Sequence, residues 1–225
     1  VSIEIRSLTK VFQGQVQALA GVELSASGGV FGLFGAAGAG KSTLLRILAG
    51  LVCPTSGKVE LDGRELVGPA GRDPGQQMVG YVPEVPGQYP DLTVPEYLNY
   101  VGMSRGLTDR ALRRRRISEV SELVGLTEVA HRSMADFTGE LLRRVAIATA
   151  LITDPRLLVI DELPGGLSPE ERANLWELTA ALGEERMVMA SSRTMDDGLL
   201  RVCGGMAVLA DGRVARYGIA DDRPL

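Results

Sequence analysis

The stretch Gly35-Ala36-Ala37-Gly38-Ala39-Gly40-Lys41-Ser42-Thr43 decides how this chain is read. It fits G-x-x-x-x-G-K-[ST], a loop whose backbone N–H groups wrap around nucleotide phosphates. Val30–Phe34, just before it, reads as a short buried strand. Leu44, Leu45, Ile47, Leu48 and Leu51, just after it, read as the apolar face of a helix. Strand, loop and helix in that order are the context the motif requires. Glycines at 35, 38 and 40 let the backbone take positive φ and bring successive N–H groups close to an anion. The start of the helix turns its positive dipole end toward the same point. Lys41 supplies a charge for the β- and γ-phosphates, and the Ser42 hydroxyl is a ligand for Mg²⁺. The chain has only three lysines, Lys10, Lys41 and Lys58, so Lys41 stands out from the background.

The 225 residues suit one large α/β domain, or a core with a smaller insertion. An apolar fraction of 45% is globular, and a net charge of −4 argues against nucleic acid as a partner. The basic run Arg113–Arg116 reads as a solvated helix face. Cys53 and Cys203 match no metal or redox spacing and read as reduced thiols, and His131 reads as a loop or helix-surface residue. With no long apolar run and no leader pattern, the expectation is a chain that neither spans a membrane nor leaves the cell. The absent initiator Met and the end at Leu225 leave open that it is a segment of something longer.

Along the chain, Val1–Ile5, Gln17–Ser25 and Gly57–Leu61 read as antiparallel strands, the last followed by an Asp62-Gly63 turn. A further strand is expected over Gln77–Val82. From about Thr93 to Thr127 the pattern is helical, with Thr93 and Glu96 as a capping box and Leu112, Ile117, Val120, Leu123 and Val124 as its apolar stripe. Helix and strand then alternate: a helix at Leu142–Leu151, a strand at Leu157–Ile160, a helix at Pro169–Leu182 and a strand at Met187–Ala190. Met206–Leu209 and Arg213–Tyr217 close the chain as a hairpin. The predicted fold class is therefore α/β: a P-loop NTPase with a parallel core sheet, an N-terminal antiparallel β layer and an inserted helical subdomain near residues 88–138. The core is assigned to residues 1–87 and 139–225.

Leu157-Leu158-Val159-Ile160-Asp161-Glu162 is an apolar strand ending in two carboxylates. Beside a phosphate loop, the first can hold Mg²⁺ and the second can polarise an attacking water. With that strand in place, nearly the whole chain resembles the nucleotide-binding subunit of ABC transporters. Leu8–Phe12 resembles the aromatic loop of that family, which implies that Phe12 stacks on adenine with Val16 also on the nucleotide. Val79–Glu84 sits where the family has its Q-loop. Phe137-Thr138-Gly139-Glu140-Leu141 takes the place of the signature L-S-G-G-Q. Asp161–Pro169 corresponds to the second acidic motif and D-loop, and Ser191-Ser192-Arg193 falls where members have S-T-H.

The resemblance implies that ATP binds through Phe12, Val16 and residues Gly35, Ala36, Ala37, Gly38, Ala39, Gly40, Lys41, Ser42 and Thr43, with Mg²⁺ on Ser42, Asp161 and Glu84. Glu162, Arg193 and Glu84 are the implied catalytic set. Thr138 and Gly139 are implied to cap the γ-phosphate held by a second nucleotide-binding subunit. A transmembrane permease is the other implied partner, met through Glu84 to Leu92, with the subunit in the cytoplasm on the inner face of the membrane. Tyr89-Pro90-Asp91-Leu92-Thr93-Val94 resembles drug- and polyketide-type exporters.

Several positions depart from the family pattern. Glu84 replaces a glutamine, Glu140 a signature glycine, Ser168 the D-loop aspartate and Arg193 the switch histidine, while Leu163-Pro164 replaces a Pro-Thr-like pair. Arginine only donates and stays charged, and a carboxylate at 84 cannot donate. Opposite charges at 84 and 193 predict a local pair or a shared Mg²⁺/phosphate network. Two readings follow: a slow but working ATPase, or a catalytically quiet ATP-binding subunit that is regulatory or the degenerate partner in a heterodimer.

Overall fold

The computed structural model describes residues 1–66, 78–87, 89–162 and 167–219. Three of its strands carry the architecture: β3 (Val30–Phe34), β7 (Leu157–Ile160) and β8 (Met187–Ser192). All three are buried from end to end. Both faces must then be covered, and the alternating side chains show by what. Val30, Phe34, Leu158, Ile160, Val188 and Ala190 point into one apolar cluster; Phe31, Leu33, Leu157, Val159, Met187 and Met189 point into another.

These strands sit in a six-stranded sheet with β6 (Val79–Val82), β9 (Gly205–Ala210) and β10 (Arg213–Ile219), in the order β10-β9-β3-β8-β7-β6. Every pairing is parallel except the β9–β10 hairpin at the edge, which turns at Asp211-Gly212. A second sheet, fully antiparallel, runs β2-β1-β4-β5, from β1 (Ser2–Phe12), β2 (Val16–Ser27), β4 (Ser56–Leu61) and β5 (Arg64–Glu65). Ile3, Ile5, Leu19, Val22, Val59 and Leu61 of this layer join Leu44, Leu45, Ile47 and Leu48 of α1 (Lys41–Leu48) in the second cluster. Each such fully buried side chain contributes about 1.5–3 kcal/mol of transfer free energy.

The other face carries α2 (Val94–Ser104), α3 (Arg110–Leu123), α4 (Gly139–Leu151) and α5 (Pro169–Glu185), with the short α6 (Asp197–Val202) packed beside α5. The α/β class with a parallel sheet and an antiparallel layer is thus as expected.

Particular expectations are corrected. The helical stretch from Thr93 to Thr127 is two helices, broken at Arg105–Asp109, where Gly106 takes φ +85°. The buried phase of α3 runs through Arg113, Ile117, Val120 and Ser121, so Leu112 and Leu123 fall outside it and are exposed. Arg113 is therefore no solvated residue: it donates to Asn99 Oδ1 at 2.8 Å and to the Leu107 and Thr108 carbonyls, closing the bend. Arg114 and Arg115 do face solvent. Leu51 lies beyond the end of α1 and is exposed, the chain having turned at Gly50 with φ +68°. The strand expected over Gln77–Val82 begins at Val79; Gln77 lies outside the described residues. Leu163–Gly166 lie outside them as well. Neither cysteine forms a disulfide among the described residues, Cys203 being buried with its Sγ on the Leu200 carbonyl, and His131 is exposed on a turn.

Candidate nucleotide site

Four loops leave the same edge of the parallel sheet, because β3, β6, β7 and β8 all run in one direction. Gly35–Gly40 follows β3, Pro83-Glu84 follows β6, Asp161-Glu162 follows β7, and Arg193 follows β8. The carboxyl ends of strands are where open α/β sheets bind ligands.

The phosphate loop is shaped by close approaches. Gly35 has φ +151°, and a Cβ there would lie 2.4 Å from the Leu209 carbonyl oxygen. Gly40 precedes α1 at φ +103°, with a hypothetical Cβ 2.5 Å from the Ala18 carbonyl oxygen. Neither site admits a side chain. Gly38, at φ +79°, faces open space, so the open side of the loop is the side a ligand would approach. A cleft of about 190 Å³ lies there, lined by Ala18, Ala37, Gly38, Gly40, Lys41, Ser42, Thr43, Glu162 and Arg193. That volume suits phosphates rather than a whole nucleotide.

The Lys41 ammonium is folded back onto the loop, donating to the Gly35 carbonyl at 2.6 Å and the Ala36 carbonyl at 3.0 Å. Burial pushes its pKa down, opposed by the charge of Glu162. Asp161 is almost wholly buried and accepts three hydroxyl bonds: Ser42 Oγ at 3.0 Å and Ser191 Oγ at 3.2 Å on Oδ1, and Tyr81 Oη at 3.0 Å on Oδ2. Ser42 and Asp161 thus place two hard oxygen donors side by side, the donor set Mg²⁺ takes together with phosphate oxygens and water.

Glu162 is held by its backbone in the left-handed region, φ +56°, and its N–H donates to Ser191 Oγ at 3.1 Å. Burial raises the pKa of its carboxyl; Arg193 and Lys41 pull the other way. Arg193 bridges two acids. Its Nε lies 2.8 Å from Glu162 Oε2, and its Nη2 donates to Glu84 Oε1. The pair expected from the opposite charges at 84 and 193 is present, and Glu162 is its third member. The two carboxylates raise the pKa of Arg193 further.

Other expected residues lie elsewhere. Phe12 and Val16 face each other near the β1–β2 turn, both exposed, with Lys10 Nζ 4.9 Å from the Phe12 ring centroid; neither lines the cleft. Thr138 and Gly139 are exposed at the start of α4, where Thr138 Oγ1 accepts from the Leu141 N–H at 3.3 Å, and they too lie outside the cleft. Glu140 has found a cation: Arg144 donates to its Oε1 from Nε at 2.9 Å and Nη2 at 2.7 Å.

Residue-by-residue reading missed Tyr81, Ala18 and Arg143. Arg143 has no exposed surface and donates to the Pro83, Asp161 and Glu162 carbonyls. Burial pushes its pKa down to about 10, which leaves it charged at neutral pH. The one signal in the sequence was an arginine on the apolar face of α4.

The family model for ABC transporters matches residues 19–164. The chain belongs to the ABC transporter family. It is 33% identical over 224 residues to the Nod factor export ATP-binding protein I of Cupriavidus pinatubonensis, covering 99% of this chain and 66% of that protein. It is 35% identical over 225 residues to the methionine import ATP-binding protein MetN of Caulobacter vibrioides, covering 98% and 68%. Among solved structures, a dimeric ATP-binding cassette in a post-hydrolysis state, bound to ADP and Pi, superimposes with a TM-score of 0.82 at 25% identity, covering 99% of this chain and all of that one. The chain spans about three fifths of the length of several curated relatives. Among the described residues, no helix is long and apolar enough to cross a membrane.

Proposed function

We propose that this cassette binds ATP with Mg²⁺ and hydrolyses it to drive a membrane permease. The observation that carries the reading is the convergence of Lys41, Ser42 and Glu162 on one cleft beneath an open glycine loop, with Asp161 held behind it on the Ser42 hydroxyl. The loop N–H groups and the start of α1 would receive the phosphates, and Lys41 would exchange its carbonyl partners for phosphate oxygens. Ser42 and Asp161, and Glu84 if Arg193 releases it, would hold Mg²⁺, which neutralises charge on the phosphates when bound. Phe12 and Val16 would meet the base and ribose at the open end of the cleft. Glu162 would orient the attacking water and accept its proton, and Arg193 would donate to the γ-phosphate.

Thr138 and Gly139, exposed at the start of α4, would cap the nucleotide of a second nucleotide-binding subunit. Val85 and Tyr89, exposed beside Glu84 and Leu92, are candidates for contact with the permease on the cytoplasmic face. Export is the direction we assign, supported by the Tyr89–Val94 segment and by the name of the Nod factor relative. A second reading, a catalytically quiet ATP-binding subunit in a heterodimer, is favoured by one observation: Arg193 occupies the Glu162 carboxylate.

Titration with a fluorescent ATP analogue, together with phosphate release, separates the readings. Binding lost in Lys41→Ala, with turnover lost in Glu162→Gln, supports the ATPase. Binding with no turnover above Glu162→Gln supports the quiet subunit, and no binding overturns both.

A further inference from the structure

A buried guanidinium normally has a carboxylate partner, because desolvating the charge is costly. Arg143 has no such ion pair among the described residues. Its donors go instead to backbone carbonyls of two separate loops: Pro83, directly before Glu84, and Asp161 with Glu162 itself. Its Nε is buried and, among the described residues, has no hydrogen-bond partner. The acids Asp161, Glu84 and Glu162 and the Tyr81 hydroxyl supply the field that keeps it charged. One planar fork thus ties α4 to the ends of β6 and β7, a span that a single point-charge donor on a flexible stem does not reproduce.

What it holds is an unusual backbone. Glu162 is a non-glycine residue at φ +56°, a conformation that persists only when its surroundings over-determine it. Both of its main-chain polar groups are gripped by side chains, the N–H by Ser191 Oγ and the carbonyl by Arg143.

We propose that Arg143 is a positioning residue for ATP hydrolysis: by holding the Pro83 and Glu162 carbonyls it fixes the direction in which Glu84 and Glu162 enter the cleft. The proposal rests on the ATPase reading above. It implies that Arg143 acts on turnover and not on nucleotide binding, since among the described residues its hydrogen bonds reach neither Lys41 nor the glycine loop. It also makes α4, which begins at the signature-like segment, a mechanical neighbour of the hydrolytic carboxylate.

The test uses the full chain with MgATP. Arg143→Met keeps an unbranched apolar stem and removes every donor; Arg143→Lys keeps a charge but loses the fork. Arg116→Met is the control, because Arg116 also donates to carbonyls of buried residues, Leu151 and Ile152 at the far end of α4, away from the cleft. The expected result is ATP affinity within about twofold of wild type for both Arg143 variants. Turnover falls about tenfold or more in Arg143→Met and by less in Arg143→Lys, because small misplacements of a reacting group cost rate steeply. Arg116→Met lowers the melting temperature and leaves turnover unchanged. If Arg143→Met does not fold, Arg143→Lys alone decides. Unchanged turnover in Arg143→Lys overturns the proposal, as does a loss confined to ATP affinity, or a turnover loss that follows melting temperature equally in the Arg143 and Arg116 variants. No turnover in the wild type overturns the ATPase reading along with it, which distinguishes that failure from failure of the positioning role alone.

Discussion

Arg193 is shared by two carboxylates that would otherwise repel each other, and this makes the effects of single substitutions hard to read alone. Glu84→Gln leaves Arg193 with Glu162 as its one remaining acid among the described residues and is expected to tighten that clamp. Arg193→His leaves two acids facing each other without a fixed cation between them. Each single variant is expected to slow phosphate release several-fold. The double variant Glu84→Gln/Arg193→His is expected to lose less than the product of the two, the signature of coupled neighbours. A double variant that is purely multiplicative would show the sites to be independent. Arg193 is half exposed, so the coupling should shrink as salt is raised. This pair was legible in the sequence once aligned segments put opposite charges at 84 and 193. The Arg143 contacts were not, since its acceptors are main-chain oxygens, which carry no mark in a sequence. The same holds for Tyr81, whose partner Asp161 lies 80 residues away. The phosphate loop and Asp161-Glu162 were readable because their chemistry is contiguous.

At the scale of elements, Ser168, read from the sequence as standing in place of an aspartate, has a local job. Ser168 caps α5: its Oγ accepts from the Glu171 N–H at 3.1 Å while the Glu171 carboxylate accepts from the Ser168 N–H at 2.8 Å. Ser168→Ala should cost about 1 kcal/mol in thermal or denaturant unfolding, whereas Ser168→Asp, also a good cap, should cost less than about 0.5 kcal/mol. Equal losses in the two would remove the cap as the explanation. α2 offers a pH-dependent counterpart. The Glu96 carboxylate accepts from both the N–H and the hydroxyl of Thr93, which holds its pKa below the usual value. A depressed carboxyl stabilises the native state above its unfolded pKa and loses that contribution as pH falls through the folded value. Glu96→Gln should therefore melt below wild type at neutral pH, with the difference closing as pH drops from about 5 to about 3. A gap that persists in acid would point to packing instead. The break between α2 and α3 shows why element boundaries were less legible. The arginine run suggested a solvated face, yet Arg113 takes the buried phase and satisfies the carbonyls of the bend.

For the whole molecule, the question is whether two copies can close on ATP with Glu140 in the signature-like segment. A free carboxylate there would oppose a phosphate, but Glu140 is neutralised on its own helix by Arg144, which is itself anchored on the Val124 carbonyl at 2.7 Å. Both side chains are about four-fifths buried, so this pair is less screened than most surface pairs. On the proposed reading, closure would depend on Arg144 even though its contact serves to cancel a neighbour's charge. Arg144→Ala should free the Glu140 charge and weaken ATP-dependent association by about tenfold in the dimer Kd, equivalent to roughly 1.4 kcal/mol of misplaced charge at an interface. Adding Glu140→Gln to Arg144→Ala should restore association, because the offending charge is gone along with its partner. Sedimentation velocity in a Glu162→Gln background, where slowed hydrolysis prolongs the ATP-bound state, measures all three. If Arg144→Ala dimerises as well as its parent, Glu140 does not face phosphate in the closed state. If the restored variant stays monomeric, Arg144 acts through the fold of α4 and not through charge.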